Sequence, residues 1–504
     1  MRSLILVVGS GIAGTCAALS AALESPSSKV FLASKGPLFS GSSFFEGTWG
    51  LGLIAPDGTT DQEDLAATIE QVGCGAANPA LVRSFVRGIA PAIAQLEVWG
   101  VTLKHASGTA AAQREYIPCF DHKHRAWHGI EREPYVQAMD ARLQEAGVTL
   151  RQGWELLDFD PKTRCALFFD SNTQAFEQVE YDALVLCTGG TSSLFSRHLT
   201  QDDCCATVQG LAASRGCQLI NMAFMQFMPG IVSPVQGVVF NEKAFRFMQL
   251  PQSGIDALGG AAEAARLLDM RSGYGPFTCR LESRAVDFAI HQAGPDGLEL
   301  TPHFPTVDVP EFVTTYQQWL QESAGVGPND ALRVALYAHA SNGGIAIDQQ
   351  GCTSVPGVFA AGECTGGMHG ADRLGGLSSA NGLVFGMRAG KSAAEHAACH
   401  TQGRPHADLP AWTNFACSLA PEIEKQLQAI MDESCMIVRE KSQVETAKKK
   451  LAVLAEDLEN NLVPTVSAAQ AAATRTAQLR LMTAQAMVSA ILEEEESRGS
   501  HYWA

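Results

Sequence analysis

Three glycines spaced G-x-G-x-x-G, in Gly9-Ser10-Gly11-Ile12-Ala13-Gly14, follow directly on the first apolar run of the chain. Each has a task in a phosphate-cradling turn. Gly9 admits the tight bend, Gly11 lets backbone N–H groups approach a pyrophosphate, and Gly14 lets a helix pack against a strand. The N-terminus of that helix adds unpaired N–H groups and the positive end of its dipole. Two later apolar runs also end in glycine, at Thr188-Gly189-Gly190 and at Gly362-Glu363. His122-x-His124-Arg125 carries metal-ligating residue types but has no third ligand at a defined spacing, so no metal site is expected there. It reads equally as a substrate-side loop or as a polar surface loop.

The spacing gains meaning from the elements around it. Residues 4–8 are continuously apolar, residues 13–23 are rich in small helix formers, and residues 29–33 are a second apolar run ending in Ser34-Lys35-Gly36. That is a β-α-β unit of the length a dinucleotide fold needs. Its second strand lacks the acidic residue that usually meets a ribose. Helical patterns follow at 61–72, 78–99 and 133–146, then short alternating strands over 149–179. Residues 227–338 are broken by proline and glycine and read as an inserted domain. Beyond a polar linker at 402–410 the chain is helical, and the charge runs at 448–450 and 493–496 read as solvated helix faces. The fold class expected is α/β.

Composition narrows the function. The chain has 504 residues, 46% hydrophobic and 18% charged, enough for two or three domains with a large core. With 36 basic against 53 acidic residues the net charge is −17, unfavourable for nucleic-acid binding. No apolar run reaches membrane-spanning length, and residues 1–8 have no basic leader region, so neither a membrane span nor a signal peptide is expected. The fourteen cysteines are scattered, without a C-x-x-C, which argues against a zinc ribbon or a compact iron–sulfur motif. Reduced thiols and a cytoplasmic location are the reading.

The segment from Gly362-Glu363 through His369-Gly-Ala-Asp372-Arg373-Leu-Gly-Gly376 to Ser378-Ser-Ala-Asn-Gly-Leu-Val-Phe-Gly386 resembles the flavoprotein superfamily of fumarate reductase, succinate dehydrogenase and L-aspartate oxidase, with Asp372 in place of an asparagine. The resemblance extends through Ser34-Lys-Gly-Pro with Gly41-Ser-Ser43, His122-x-His124-Arg125, Gln226-Phe227 and the closing Glu496-to-Tyr502 stretch. It is nearest to L-aspartate oxidase. It implies a Rossmann-like FAD-binding domain (residues 1–226 and 340–405), an inserted α+β capping domain (227–339) and a C-terminal helical domain (406–504).

FAD would be held by Gly9, Gly11, Ile12, Ala13 and Gly14 at the pyrophosphate, by Ser34 and Lys35 at the adenosine, and by Ser42, Ser43, Thr188, Gly189, Gly190, Glu363 and Ser378 along its length. The stretch Gly41-Ser-Ser-Phe-Phe-Glu46 has no histidine, which implies non-covalent flavin. His339 and Arg373 match a carboxylate-binding pair, Arg284 the arginine taken as proton donor and acceptor, and Glu242 a residue relaying protons to it. The implied reaction moves a hydride between flavin and a carbon beside a carboxylate.

Four departures bear on substrate. A carboxylate-binding histidine of the family is Met228 here, and a threonine is Asn241. A glutamate before H-x-H-R is Cys119, and a Gly-Asp-Gly is Ala206-Thr207-Val208. A thioether donates no hydrogen bond to a carboxylate, so a substrate with one carboxylate and a less polar second arm suits Met228 better than aspartate or succinate. Three readings stay open: an L-aspartate-oxidase-like enzyme, a soluble fumarate-reductase-type subunit feeding a separate iron–sulfur protein, and a flavin-binding subunit without catalysis.

Overall fold

The structure, a computed structural model, describes residues 2–48, 50–105, 125–305, 309–399 and 408–504. Cys119, His122 and His124 lie outside the described residues.

Along the chain, β1 (Leu4–Val8) leads into α1 (Ile12–Glu24), β2 (Lys29–Ser34), β3 (Thr149–Gln152) and β4 (Ala183–Leu186). Then come β5 (Met225–Ser233), β6 (Val238–Val239), β7 (Leu332–Ser341), β8 (Val358–Ala360) and α2 (Leu377–Cys399). The first sheet has the order β8-β4-β1-β2-β3 and is parallel throughout. Its central strands are apolar on both faces, as a covered parallel sheet requires. Chain segments 150 residues and more apart therefore end side by side, and their carboxyl ends open on one crevice.

A second sheet is antiparallel, with the order β6-β5-β7 followed by Leu298–Pro302 and Met248–Gln249. Its register sets Met228 opposite Tyr337 and Gly230 opposite Val239. Side chains two apart on a strand share a face. Met228, Val239 and Tyr337 thus project from the same side of this sheet, while His339 sits at a register irregularity between Ala338 and Ala340.

Three amphipathic helices close the chain: α3 (Ala420–Ser434), α4 (Lys441–Asn460) and α5 (Ala468–Glu493). Ile423, Leu427, Val444, Leu451 and Leu458 face inward, while Lys448, Lys449 and Lys450 are exposed. The tail after α5 returns to the middle of the molecule. The Ser500 N–H donates to the Ala371 carbonyl at 2.9 Å, the Gly499 carbonyl accepts from the Cys279 N–H at 2.8 Å, and His501 is buried against Arg439. Among the described residues no helix is long and apolar enough to cross a membrane.

The phosphate-turn helix α1 lies against α2 through Gly382, Gly386 and Gly390, spaced four apart on one helix face. A Cβ on Gly386 would stand 2.6 Å from the Ala13 carbonyl, and one on Gly390 would collide with that of Ala17. The close approach holds the start of α1 in place. Gly390→Val is therefore expected to destabilise the protein by about 2–3 kcal/mol, the usual cost of overpacking, read as an earlier urea midpoint at unchanged slope. An unchanged midpoint would contradict this packing.

Candidate active site

A cavity of about 360 Å³ lies between the carboxyl ends of the parallel strands and the β5–β6–β7 sheet, a usual size for a ligand site. Its lining divides into two halves.

The first half is the glycine turn. Gly9 has φ +104°, a conformation that side chains rarely adopt, and a Cβ on Gly14 would collide with the Gly9 carbonyl. Gly11 differs: its φ is −70°, and a Cβ there would make only ordinary contacts with Ser40 and Ser43. It is the N-cap of α1 without a side-chain cap, so the first N–H groups of the helix face the cavity unblocked. Gly9, Gly11, Ile12, Ala13, Ser34, Lys35, Ser42, Ser43, Thr188, Gly189, Glu363 and Ser378 all line the cavity. Gly14 and Gly190 stand behind it, where one admits close helix packing and the other leaves room for the Glu363 carboxyl. The Thr188 hydroxyl is buried without a partner, as a group awaiting a ligand would be.

Lys35 is held on two sides, by an ion pair with Glu155 at 3.0 Å and by donation to the Cys205 sulfur at 2.9 Å. Burial pushes the Cys205 thiol up to about 11, so it stays protonated at neutral pH. Helix dipole, unblocked N–H groups and an open glycine cradle together fit a pyrophosphate.

The second half carries the acid–base groups. Arg373 is buried; its Nε donates to the Gln226 side-chain oxygen at 3.0 Å and its Nη1 to the Leu374 carbonyl at 3.4 Å. Among the described residues no carboxylate lies within ion-pair distance of it. His339 also lines the cavity. Burial and the neighbouring Arg373 push its imidazole down to about 3, so it is neutral at physiological pH, and its Nδ1 has no partner. Glu242, buried, is pushed up to about 7. Burial also raises Glu363, whose carboxylate accepts from the Ser341 N–H at 2.9 Å.

Arg284 does not line this cavity. Its Nη1 donates to the Cys279 carbonyl at 2.5 Å and its guanidinium lies over the Tyr502 ring. Arg280, four residues earlier, does not line the cavity either, but it pairs with Asp372, the neighbour of Arg373, at 3.2 Å. Asp372 in turn accepts from Gln226 at 3.2 Å, so Gln226 links the Arg280–Asp372 pair to Arg373. Sequence reasoning missed Arg280. The signal was the carboxylate at 372, which once buried calls for a cation. Arg125 does not line the cavity either: its guanidinium is buried against Asp61 and Asp64 of the helix Thr59–Val72.

Met228 lines the second half beside Val239 and Leu199. Asn241 caps the turn that carries Glu242, its side chain accepting from the Lys243 N–H at 3.0 Å. Ala206, Thr207 and Val208 line the first half, and Ala206 has φ +58° where the related motif has glycine.

These features define a dinucleotide-binding fold with a covered pocket beside the phosphate-cradling turn. The family model described as "FAD binding domain" matches residues 5–379, and that described as "Fumarate reductase flavoprotein C-term" matches residues 424–504. An L-aspartate oxidase of Streptomyces coelicolor is 28% identical, covering 99% of this chain and 88% of its own length. A fumarate reductase (CoM/CoB) subunit of Methanothermobacter marburgensis is 27% identical, over 99% and 93%. A solved quinol fumarate reductase of E. coli superposes with a TM-score of 0.78 at 23% identity, covering 100% of this chain and 91% of that one. The chain belongs to the FAD-binding flavoprotein family of fumarate reductase, succinate dehydrogenase and L-aspartate oxidase, and its cofactor is FAD.

The two glycines separate fold from cofactor. Gly11→Ala is expected to fold with near-normal thermal stability yet to bind FAD at least about tenfold more weakly, because the methyl enters the pyrophosphate cradle. Gly14→Ala is expected not to fold. Flavin absorbance per protein and a thermal melt read both, and full flavin content in Gly11→Ala would contradict the placement.

Proposed function

We propose that the protein is an FAD-dependent oxidoreductase of the L-aspartate oxidase kind, passing a hydride between flavin N5 and a carbon of a carboxylate-bearing substrate. The observation carrying this reading is Arg373, a buried guanidinium without a carboxylate at ion-pair distance among the described residues, in the same cavity as the glycine turn. Charge-assisted pairing makes such a group a strong site for a substrate carboxylate. Bound FAD supplies the two-electron acceptor or donor.

The chain's own residues supply binding and proton handling. Arg373 binds and orients the carboxylate, and neutral His339 adds a hydrogen bond without a second charge. Glu242 holds a proton at its carboxyl group and exchanges it near neutral pH. The proton-relay arginine expected at 284 is reassigned in this proposal to Arg280, which reaches Arg373 through Asp372 and Gln226. The cap sheet keeps water from the reacting carbon. A catalytically silent flavin protein has no use for a buried guanidinium whose counter-charges, Asp372 and Glu363, are held away from its hydrogen-bonding positions. The reading as one component serving a separate iron–sulfur protein draws on the relatives named as subunits, and co-purification of a partner with a visible chromophore decides it.

Anaerobic titration of the flavin band tests the function. A carboxylate-bearing donor is expected to bleach wild-type protein, and flavin-loaded Arg373→Met is not; bleaching that survives Arg373→Met would sink the assignment. A second expectation concerns pH. Removing a substrate proton needs the Glu242 carboxylate, so the oxidation rate rises as Glu242 ionises through about 7. Glu242→Gln is expected to lose that rising limb and roughly 100-fold or more in kcat. Arg280→Met is expected to lower kcat by a similar factor with KM little changed, whereas Arg284→Met costs less than about threefold. The reverse ranking of the two arginines would return the relay to Arg284.

A further inference from the structure

The substrate half of the cavity is asymmetric in charge. Among the described residues three cationic side chains line the cavity: Lys35, Lys104 and Arg373. Lys35 is paired with Glu155 at 3.0 Å and Lys104 with Glu131 at 3.6 Å. Among the described residues, Arg373 is thus the one lining cation without a carboxylate already at ion-pair distance. A substrate with two carboxylates would need a second counter-charge in a region that excludes water, and an unpaired buried carboxylate is heavily penalised.

Opposite that single charge the wall is apolar. Met228 shares a sheet face with Tyr337, its pairing partner, and lines the cavity together with His339. Val239 joins it across Gly230, and Met228, Tyr337 and Val239 pack with Leu199 and Ala335 into one small buried cluster. Leu199 is fixed there by its N–H donating to the Ala338 carbonyl at 2.9 Å. Met228, Val239 and Leu199 all reach the cavity, and Phe312 lines it as well. Five carboxyls line the cavity among the described residues. Glu131 and Glu155 are paired with Lys104 and Lys35, Asp203 accepts from the Ser40 hydroxyl, Glu363 accepts from the Ser341 N–H, and burial works against the charge of Glu242.

We propose that the site takes a monocarboxylate whose β-carbon bears an alkyl or aryl group, with Met228, Val239 and Leu199 as its specificity-determining residues. The inference rests on the function proposed above and names its substrate class. In the oxidising direction R–CH2–CH2–COO⁻ gives up a hydride from one carbon and a proton from the other and becomes R–CH=CH–COO⁻. Both electrons pass to the flavin and the proton to the relay. The reverse direction reduces the enoate with the same balance. Arg373 takes the carboxylate, and R lies against the thioether of Met228, whose polarizable, flexible chain adapts to apolar groups of different shape.

Binding to the oxidised, flavin-loaded protein tests this without turnover, because enoates have no hydride to give. Dissociation constants for cinnamate, crotonate and fumarate are read from perturbation of the flavin spectrum. At least one of the two monocarboxylates is expected to bind about tenfold or more tightly than fumarate. Met228→His, which installs a donor for a second carboxylate, is expected to shift that ratio about tenfold toward fumarate. Met228→Leu, which keeps the wall apolar, is expected to preserve it and guards against a simple packing defect. Tighter binding of fumarate by the wild type, or a ratio unmoved in Met228→His, would overturn the inference while leaving carboxylate chemistry standing. No spectral response to any of the three acids, with flavin bound, would overturn both.

Discussion

Keeping a guanidinium charged away from water is the constraint from which the active-site architecture follows. Arg373 is buried, and burial works against its charge. A directly bonded carboxylate would neutralise it and occupy the hydrogen-bonding positions a substrate needs. The protein sets its counter-charges one step back: Asp372 is the next residue but is tied to Arg280, Glu363 is tied to a backbone N–H, and neutral Gln226 makes the direct contact. The guanidinium is thereby oriented by a neutral partner, which suits the carboxylate-binding role proposed for it. The same positive field and burial keep His339 neutral, so the pocket has one charge and one uncharged donor.

Holding that arrangement requires close packing of backbone, and the means is glycine and the tail. The glycine stripe of α2 brings it onto α1, and the turn from Gly9 to Gly14 fixes where α1 starts. The tail clamps the two loops that carry Arg280 and Arg373: Gly499 accepts from the Cys279 N–H and Ser500 donates to Ala371. Tail and loops are far apart in sequence, yet they meet within two residues of the paired Arg280 and Asp372. The C-terminal helices serve the site through this clamp and through the support they give the cap.

How far the site could be read from sequence depended on whether the information was local. The glycine turn, the strand ends at Thr188 and Gly362, and the neighbourhood of Arg373 were legible, because turn geometry and phosphate approach are dictated over a few adjacent residues. The arginine proposed for the relay was not: Arg280 and Arg284 are four residues apart on a turn entering the helix Arg284–Gln292, and only the fold shows which meets Asp372. Arg125 was ambiguous for the same reason until its partners on a distant helix were visible. Met228 was conspicuous in sequence, but its companions Val239 and Leu199 were not, since sheet register brings them together. Ala206 is a different case. Its left-handed backbone keeps the conformation of a glycine turn after the glycine has gone, at a cost of about 1–2 kcal/mol.

The role given to Arg373 is tested most directly by a crystal structure of the FAD-loaded protein with a bound enoate. The carboxylate is expected on the Arg373 guanidinium with His339 in hydrogen-bonding contact, and the double bond against flavin N5. A carboxylate bound elsewhere in the cavity, with Arg373 turned to a protein carboxylate, would contradict it.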